Sequence, residues 1–399
     1  MIRCVTAGES HGRALVANVE GVPAGLPLVA ADVDVELTRR MQGHGRGARM
    51  KIEADRAQFL AGIRAGATLG SPIALLIENR DFEHWRDVMA AEPAAEPPRR
   101  RLTRPRPGHA DLAGALKYDR SDARDILERA SARETAARVA AGAVCRRLLA
   151  EFGVEIGSHV VALGGVTAAP PDPLPVPLDP AADASPVRCL DPAAGRAMVA
   201  RIDAAKEAGD TLGGVVEVVA RGLVVGVGSH VAADRKLDGR LAAALMALPA
   251  VKGVEIGRGF SLASLPGSEA HDAIHRAVGD APTTGGFARP TNRAGGLEGG
   301  MTNGEALVLR IAMKPLSTLM QPLPSVDLET GGPAQAQSER SDVTAVPALG
   351  VVAEAAVALT LADAYAEKFG GDSLGEMRRN FDAYLSRLAQ RRDGWAPVD

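Results

Sequence analysis

Short runs rich in β-branched residues from Ile2 to Ala7, Ala14 to Val19 and Leu69 to Ile77 predict strands. The first two flank a glycine-bounded turn, Gly8-Glu9-Ser10-His11-Gly12. From Asp32 to Met41 apolar residues return at helical spacing, with Asp32 as N-cap. That helix ends in Gly43-His44-Gly45-Arg46-Gly47-Ala48-Arg49, a run that regular structure tolerates poorly. Asp122 or Asp125 opens a long Ala-rich helix reaching Glu151. Arg129 and Arg133, four apart on it, are expected to share a face. A helix over 193–208, a strand from Gly213 to Val227, a helix over 235–248 and a strand from Ala306 to Met313 follow. Val346 to Lys368 reads as a strongly apolar helix stopped by Gly370-Gly371, and Leu374 to Leu388 as a basic amphipathic one. Residues 91–107, 168–188, 260–305 and 314–346 read as loops, the second a variable Pro-rich one.

One pentapeptide recurs. Gly153-Val154-Glu155-Ile156-Gly157 and Gly253-Val254-Glu255-Ile256-Gly257 each follow an Ala/Leu-rich helix and open a strand, which predicts an internal pseudo-repeat. No clean boundary divides the chain. One α/β domain over 1–370 is expected, with a helical tail over 371–399 packed on it or on a neighbouring subunit.

With 46% hydrophobic residues the chain can bury a large core, while its net charge of −3 argues against a nucleic-acid or membrane surface. No run of about 18 apolar residues occurs and no basic-then-apolar leader opens the chain, so the cytoplasm is the expected compartment. Three cysteines with no C-x-x-C spacing argue against a disulfide framework or a zinc site. His271 and His275 have i,i+4 ligand spacing but no third ligand nearby, so no metal is expected.

The charge that matters is local. Arg39, Arg40, Arg46 and Arg49 crowd one turn region, and the guanidinium fork matches phosphate and carboxylate geometry. Glycines on both sides of Arg46 allow close backbone approach to an anion. Arg46 and Arg49 therefore read as anion ligands, Arg39 as part of a solvated face, and Arg104 as either. His11 and His109 lie in glycine turns beside these arginines, and imidazole suits general acid work near neutrality. His84, His159 and His230 read as structural. Lys314-Pro315-Leu316-Ser317-Thr318 ends a strand with one cation and two hydroxyls, a weak phosphate motif taken alone. The phosphate-loop, dinucleotide and G-x-S-x-G fingerprints are missing or incomplete.

Seven blocks together resemble the chorismate synthase family. They are Gly8 to Gly12, Gly45 to Arg49, Arg106-Pro107-Gly108-His109-Ala110-Asp111, Glu128 to Thr135 (ERASARET), Gly295 to Gly304 (GGLEGGMTNG), Lys314 to Thr318, and Glu339-Arg340-Ser341-Asp342, all in family order. The resemblance implies a β-α-β sandwich with internal pseudosymmetry and a homotetramer. It implies a lyase that eliminates phosphate from 5-enolpyruvylshikimate 3-phosphate to give chorismate, using reduced FMN without net redox change. By the same resemblance His11 protonates the departing phosphate, His109 donates a proton at the flavin ring, and Asp342 assists flavin N5 in removing the ring proton. Ser10, Arg40, Arg46, Arg49, Arg133 and Arg340 hold the substrate. Arg129, Ala130, Ser131, Pro249, Ala250, Gly299, Lys314 to Thr318 and Arg340 contact FMN. A pyridine-nucleotide assignment at Arg40 and Arg46 is weaker, with NADPH entering only as flavin reductant, whether on this chain or on a separate reductase. Two positions depart from the family: Pro249 stands where Gln is usual, and Thr344 where Cys is commoner. The rival readings are an FMN- or NADPH-linked oxidoreductase and a non-catalytic anion-binding scaffold.

Overall fold

The computed structural model describes residues 1–47, 52–93, 100–277, 283–339 and 341–393. Four strands, β1 (Arg3–Ala7), β2 (Ala14–Glu20), β3 (Ala57–Ala61) and β4 (Ile73–Glu78), form an antiparallel sheet in the order β1-β2-β4-β3. Thr6 faces Ala17 across the first pair and Val19 faces Ile73 across the second. Period-two alternation turns Leu15, Ala17 and Val19 of β2 and Ile73, Leu75 and Ile77 of β4 inward, all essentially inaccessible. Each large aliphatic side chain buried this way contributes about 1.5–3 kcal/mol. Strand β3 has no strong apolar alternation, and the sequence reading missed it.

A second sheet holds β5 (Glu155–Leu163), β6 (Val166–Thr167), β7 (Gly214–Arg221), β8 (Val251–Ile256) and β9 (Leu307–Met313), ordered β8-β9-β7-β5-β6. The two strands of the repeated pentapeptide flank the central antiparallel pair, β5 against β7 and β8 against β9. The strand expected to run to Val227 stops at Arg221, because Gly222, Gly226 and Gly228 take positive φ.

Helices join the sheets. The set comprises α1 (Ala30–Met41), α2 (Asp111–Tyr118), α3 (Arg124–Ala130), α4 (Thr135–Ala150), α5 (Leu178–Asp183), α6 (Pro192–Glu207), α7 (Leu237–Met246), α8 (Gly267–Ala270), α9 (Val346–Phe369) and α10 (Leu374–Asp393). Helix α4 packs on β1, β2 and β4, and α9 packs on β5, β7 and β9. The two helices pack on each other and α1 lies against both. Gly142 makes the α4–α9 approach possible, since a Cβ there would sit 2.6 Å from Ala355 Cα. By length and composition α9 could cross a membrane, contrary to the sequence reading, but 83% of its most apolar window is buried within the fold. It is a core helix. Helix α10 docks on it through Phe381, whose ring lies 5.1 Å from that of Phe369.

Three sequence expectations change. The single helix over 122–151 is broken at Ser131, whose ψ of 142° is extended; α3 ends there and α4 starts after a short 3₁₀ turn. Arg129 and Arg133 therefore do not share a face. Within the Pro-rich 168–188 loop, Leu178 and Ala182 anchor α5 in the core. Arg39 is not solvated: it is 8% exposed and pairs with Glu36, Asp179, Asp183 and Glu354. Arg146 and Arg188 complete that buried network around Glu354.

Candidate active site

The turn between β1 and β2 carries Ser10 and His11, and α3 holds it in place. Ser10 N–H donates to the Glu128 carbonyl (2.9 Å) and His11 N–H to Glu128 Oε2 (2.8 Å). His11 Nδ1 lies 2.9 and 3.0 Å from the two Glu128 oxygens. Burial pushes the Glu128 carboxyl up, but hydrogen bonds from His11 and the nearby Arg124 guanidinium outweigh it and hold the group below its usual range. An ionised acceptor calls for the hydrogen on His11 Nδ1, and Nε2 lies 4.0 Å from Asp81 Oδ2. The ring stacks on Trp85 at 4.0 Å and 25°. Arg100 and Arg124 lie over the same indole at 4.5 and 4.9 Å.

Beneath this turn sits a buried arginine cluster. From the last turn of α1, Arg40 donates to Thr135 Oγ1 and the Ala132 carbonyl (both 3.0 Å) and reaches Asp55 Oδ2 at 3.5 Å. Arg133 clamps both Asp55 oxygens at 2.7 Å and donates to Asn79 Oδ1 at 2.9 Å. Its Nη2, 3.7 Å from Glu53 Oε2, has no hydrogen-bond partner among the described residues. Burial, opposed by Asp55 and reinforced by Arg46 and Arg133, pushes Arg40 down to about 9. Asp55, Glu53 and Asp342 face the three guanidinium groups of Arg40, Arg133 and Arg46, so the cluster is a dense, desolvated charge network.

Asp342 is fixed against the same cluster. Gly47 N–H donates to its Oδ1 at 2.6 Å, and Arg46 Nη1 lies 3.0 Å from its Oδ2. A Cβ on Gly47 would sit 3.0 Å from Asp342 Oδ1, so glycine there permits the backbone approach.

His109 has its own carboxylate. Its Nδ1 pairs closely with Asp111 Oδ1, and Arg106 Nε donates to Asp111 Oδ2 at 2.8 Å. Burial opposes ionisation of Asp111, yet hydrogen bonds from His109 and Arg106 hold it well below the usual carboxylate range. Arg106 also donates to Thr318 Oγ1 (2.8 Å), and Ser317 Oγ to the Gly108 carbonyl (2.9 Å), which Lys314 Nζ contacts too. The strand-end segment Lys314 to Thr318 thereby closes on the His109 loop. Lys314 N–H donates to the Ala250 carbonyl (3.0 Å), which brings Pro249-Ala250 alongside; Ala250 takes φ +64°. Leu316 accepts from Thr211 Oγ1 at 2.8 Å.

One short run links the groups. Gln337 N–H donates to the Arg104 carbonyl, Glu339 lies 3.3 Å from Arg124, Asp342 holds Gly47, and Val343 N–H donates to the Gly45 carbonyl. Arg129 is exposed and donates to the Thr6 and Gly8 carbonyls (2.9 and 3.1 Å), bracing the His11 turn, while Ser131 Oγ accepts from Arg133 N–H. Gly299 lies elsewhere, in a hairpin of Leu297–Glu298 and Met301–Thr302 whose turn residues Gly299 and Gly300 both have positive φ. Arg49 and Arg340 lie outside the described residues.

Sequence reasoning missed Glu128, Asp111, Asp55, Asn79, Arg124 and Trp85. Asp111 stood two residues from His109 in a block already singled out, and Trp85 is one of only two tryptophans. Asp55 gave no local signal, since its partner Arg133 is 78 residues away.

Mixed α/β layers bearing imidazoles backed by carboxylates and a buried arginine cluster are the arrangement of an enzyme acting on a small molecule. The family model described as "Chorismate synthase" matches residues 2–366. The chain belongs to the chorismate synthase family, lyases of aromatic amino acid biosynthesis. It is 61% identical over 392 residues to "Chorismate synthase" of Moorella thermoacetica, covering 98% of this chain and 100% of that one. It is 59% identical to the Symbiobacterium thermophilum protein of the same name, with coverage of 98% and 100%. A solved structure, "Crystal Structure of Chorismate Synthase", matches with a TM-score of 0.77 at 41% identity over 98% of each chain.

Proposed function

We propose that this chain converts 5-enolpyruvylshikimate 3-phosphate to chorismate and phosphate, with reduced FMN as its cofactor. One observation carries the reading: Arg40, Arg46 and Arg133 converge in one buried cluster, with Asp342 and the Ser10-His11 turn beside it. The guanidinium groups of this cluster match the phosphate and carboxylates of such a substrate. His11, backed by Glu128, gives its Nε2 proton to the departing phosphate. Asp342, held by Gly47 N–H and Arg46, assists removal of the substrate ring proton at the flavin N5 side. Arg49 and Arg340 join the substrate ligands by their positions in the family blocks.

The donor set beside His109 fits FMN. Lys314, Ser317, Thr318 and Arg106 offer two cations and two hydroxyls within one contact group, suited to phosphate and to ring oxygens. Arg129, Ala130, Ser131, Pro249, Ala250, Gly299, Pro315, Leu316 and Arg340 complete the expected cofactor contacts; Pro249 cannot supply the side-chain contact of the usual Gln. Bound reduced flavin supplies an electron-rich ring that lends charge to the allylic system and takes it back. His109 Nε2, with Nδ1 committed to Asp111, holds the proton offered to that ring.

The same reading extends to architecture and setting. It makes residues 1–370 one domain of β-α-β sandwich type, with the tail packed on it or on a neighbour in a homotetramer of the cytoplasm. The pairing of β5 on β7 and β8 on β9 supports the internal repeat. NADPH acts only as flavin reductant, here or on a separate reductase.

The test is product formation with flavin kept reduced. Chorismate absorbance and released phosphate rise in equal amounts, and H11A and D342A each slow turnover at least about a hundredfold with FMN binding kept. Full turnover by either variant removes that residue from the mechanism.

A further inference from the structure

Glu128 belongs to no role that the family resemblance assigned, yet it holds the His11 turn by three separate bonds. Its carbonyl accepts from Ser10 N–H, its Oε2 from His11 N–H, and its carboxylate from His11 Nδ1. Its side chain is 2% exposed, so the pairing is shielded from solvent screening. Arg124 Nη1 fixes the far side of the carboxylate at 2.9 Å from Oε1, and Trp85 packs flat against the imidazole. The same order of guanidinium, carboxylate and imidazole recurs at Arg106, Asp111 and His109.

We propose that Glu128 is a positioning residue for the reaction: it orients the His11 imidazole through Nδ1 and the backbone N–H, so that Nε2 faces the departing phosphate. The inference rests on the reading of His11 as the acid at that phosphate. A carboxylate on Nδ1 holds that nitrogen as the donor and fixes the ring's direction. The stacked indole of Trp85 restricts rotation of the ring. Asp81 lies 4.0 Å from Nε2, and Arg124, paired with Glu128 and Glu339, anchors the carboxylate.

The experiment uses the full chain with E128Q, E128D, H11A and the double variant H11A/E128Q. The first readout is steady-state turnover with flavin kept reduced. In E128Q kcat falls about tenfold to a hundredfold while KM stays within about twofold. E128D, which keeps the charge but shortens the reach, falls between E128Q and the parent. H11A/E128Q is no slower than H11A, because Glu128 acts through the imidazole. The second readout needs no turnover: the rate at which diethyl pyrocarbonate modifies the His11 peptide, followed by mass spectrometry at pH 7. The ring clamped by Glu128 and Trp85 is shielded from the reagent, so E128Q, with the clamp loosened, is modified at least about threefold faster than the parent. Parent-like kcat in E128Q, an unchanged modification rate, or additive losses in the double variant overturns the proposal. Full turnover by H11A with a faster modification rate in E128Q sinks the reading of His11 as acid and leaves the positioning by Glu128 standing.

Discussion

Replacing Asp55 by Asn tests the arginine cluster where its charge balance is tightest. Asp55 has no exposed side-chain surface and binds Arg133 through both oxygens at 2.7 Å while reaching Arg40 at 3.5 Å. D55N keeps the shape and one acceptor but removes the charge. Arg133 retains Asn79, and Arg40 retains Thr135 and the Ala132 carbonyl, so the loss is electrostatic. Burial already holds Arg40 down to about 9 with Asp55 present, and taking one partner from a buried ion pair costs about 3–5 kcal/mol. In a chain of this size that lowers the melting temperature by roughly 3–8 °C. The variant pocket is also more positive, so added 5-enolpyruvylshikimate 3-phosphate or inorganic phosphate raises its melting temperature more than the parent's. Scanning fluorimetry with and without these anions measures both effects. A variant that melts with the parent, or gains no more from anions than the parent does, refutes the charge argument.

Two further outcomes follow from packing and titration. Gly142→Ala brings a Cβ within 2.6 Å of Ala355 Cα at the α4–α9 contact, and overpacking of about 1–3 kcal/mol outweighs the helix-propensity gain; urea unfolding at a lower midpoint is expected, and an unchanged or higher midpoint contradicts it. Asp111 is held below its unfolded value, so its contribution to stability is present above about pH 4 and is lost as pH falls further. Melting curves from pH 6 to 2.5 should fall less steeply for D111N than for the parent; parallel curves would show that the pairing with His109 and Arg106 adds nothing.

The sequence revealed what local periodicity encodes. Strands β1, β2 and β9, helices α6 and α9, and the glycine turns holding His11 and Arg46 were all legible, because each depends on residues within a few positions. The break at Ser131 was not, since helix propensity runs through it; what interrupts the helix is the anchoring of Arg133 on Asp55 and Asn79. Helix α5 was hidden by its prolines, although Asp179 within it serves the network around Glu354 through Arg39 and Arg146. Candidate arginines and histidines could be listed from composition and motif. Their carboxylate partners could not, because Asp55 and Glu128 meet Arg133 and His11 across 78 and 117 residues. Pairings of that kind are properties of the folded chain.

The central claim is that this pocket eliminates phosphate around a flavin that ends each cycle reduced. Counting chorismate formed per FMN, after one anaerobic addition of dithionite-reduced FMN and excess 5-enolpyruvylshikimate 3-phosphate, tests it most directly. Many products per flavin, each with one phosphate and no accumulating oxidised flavin, are predicted. One product per flavin with matching oxidation would make the protein an oxidoreductase and contradict the account.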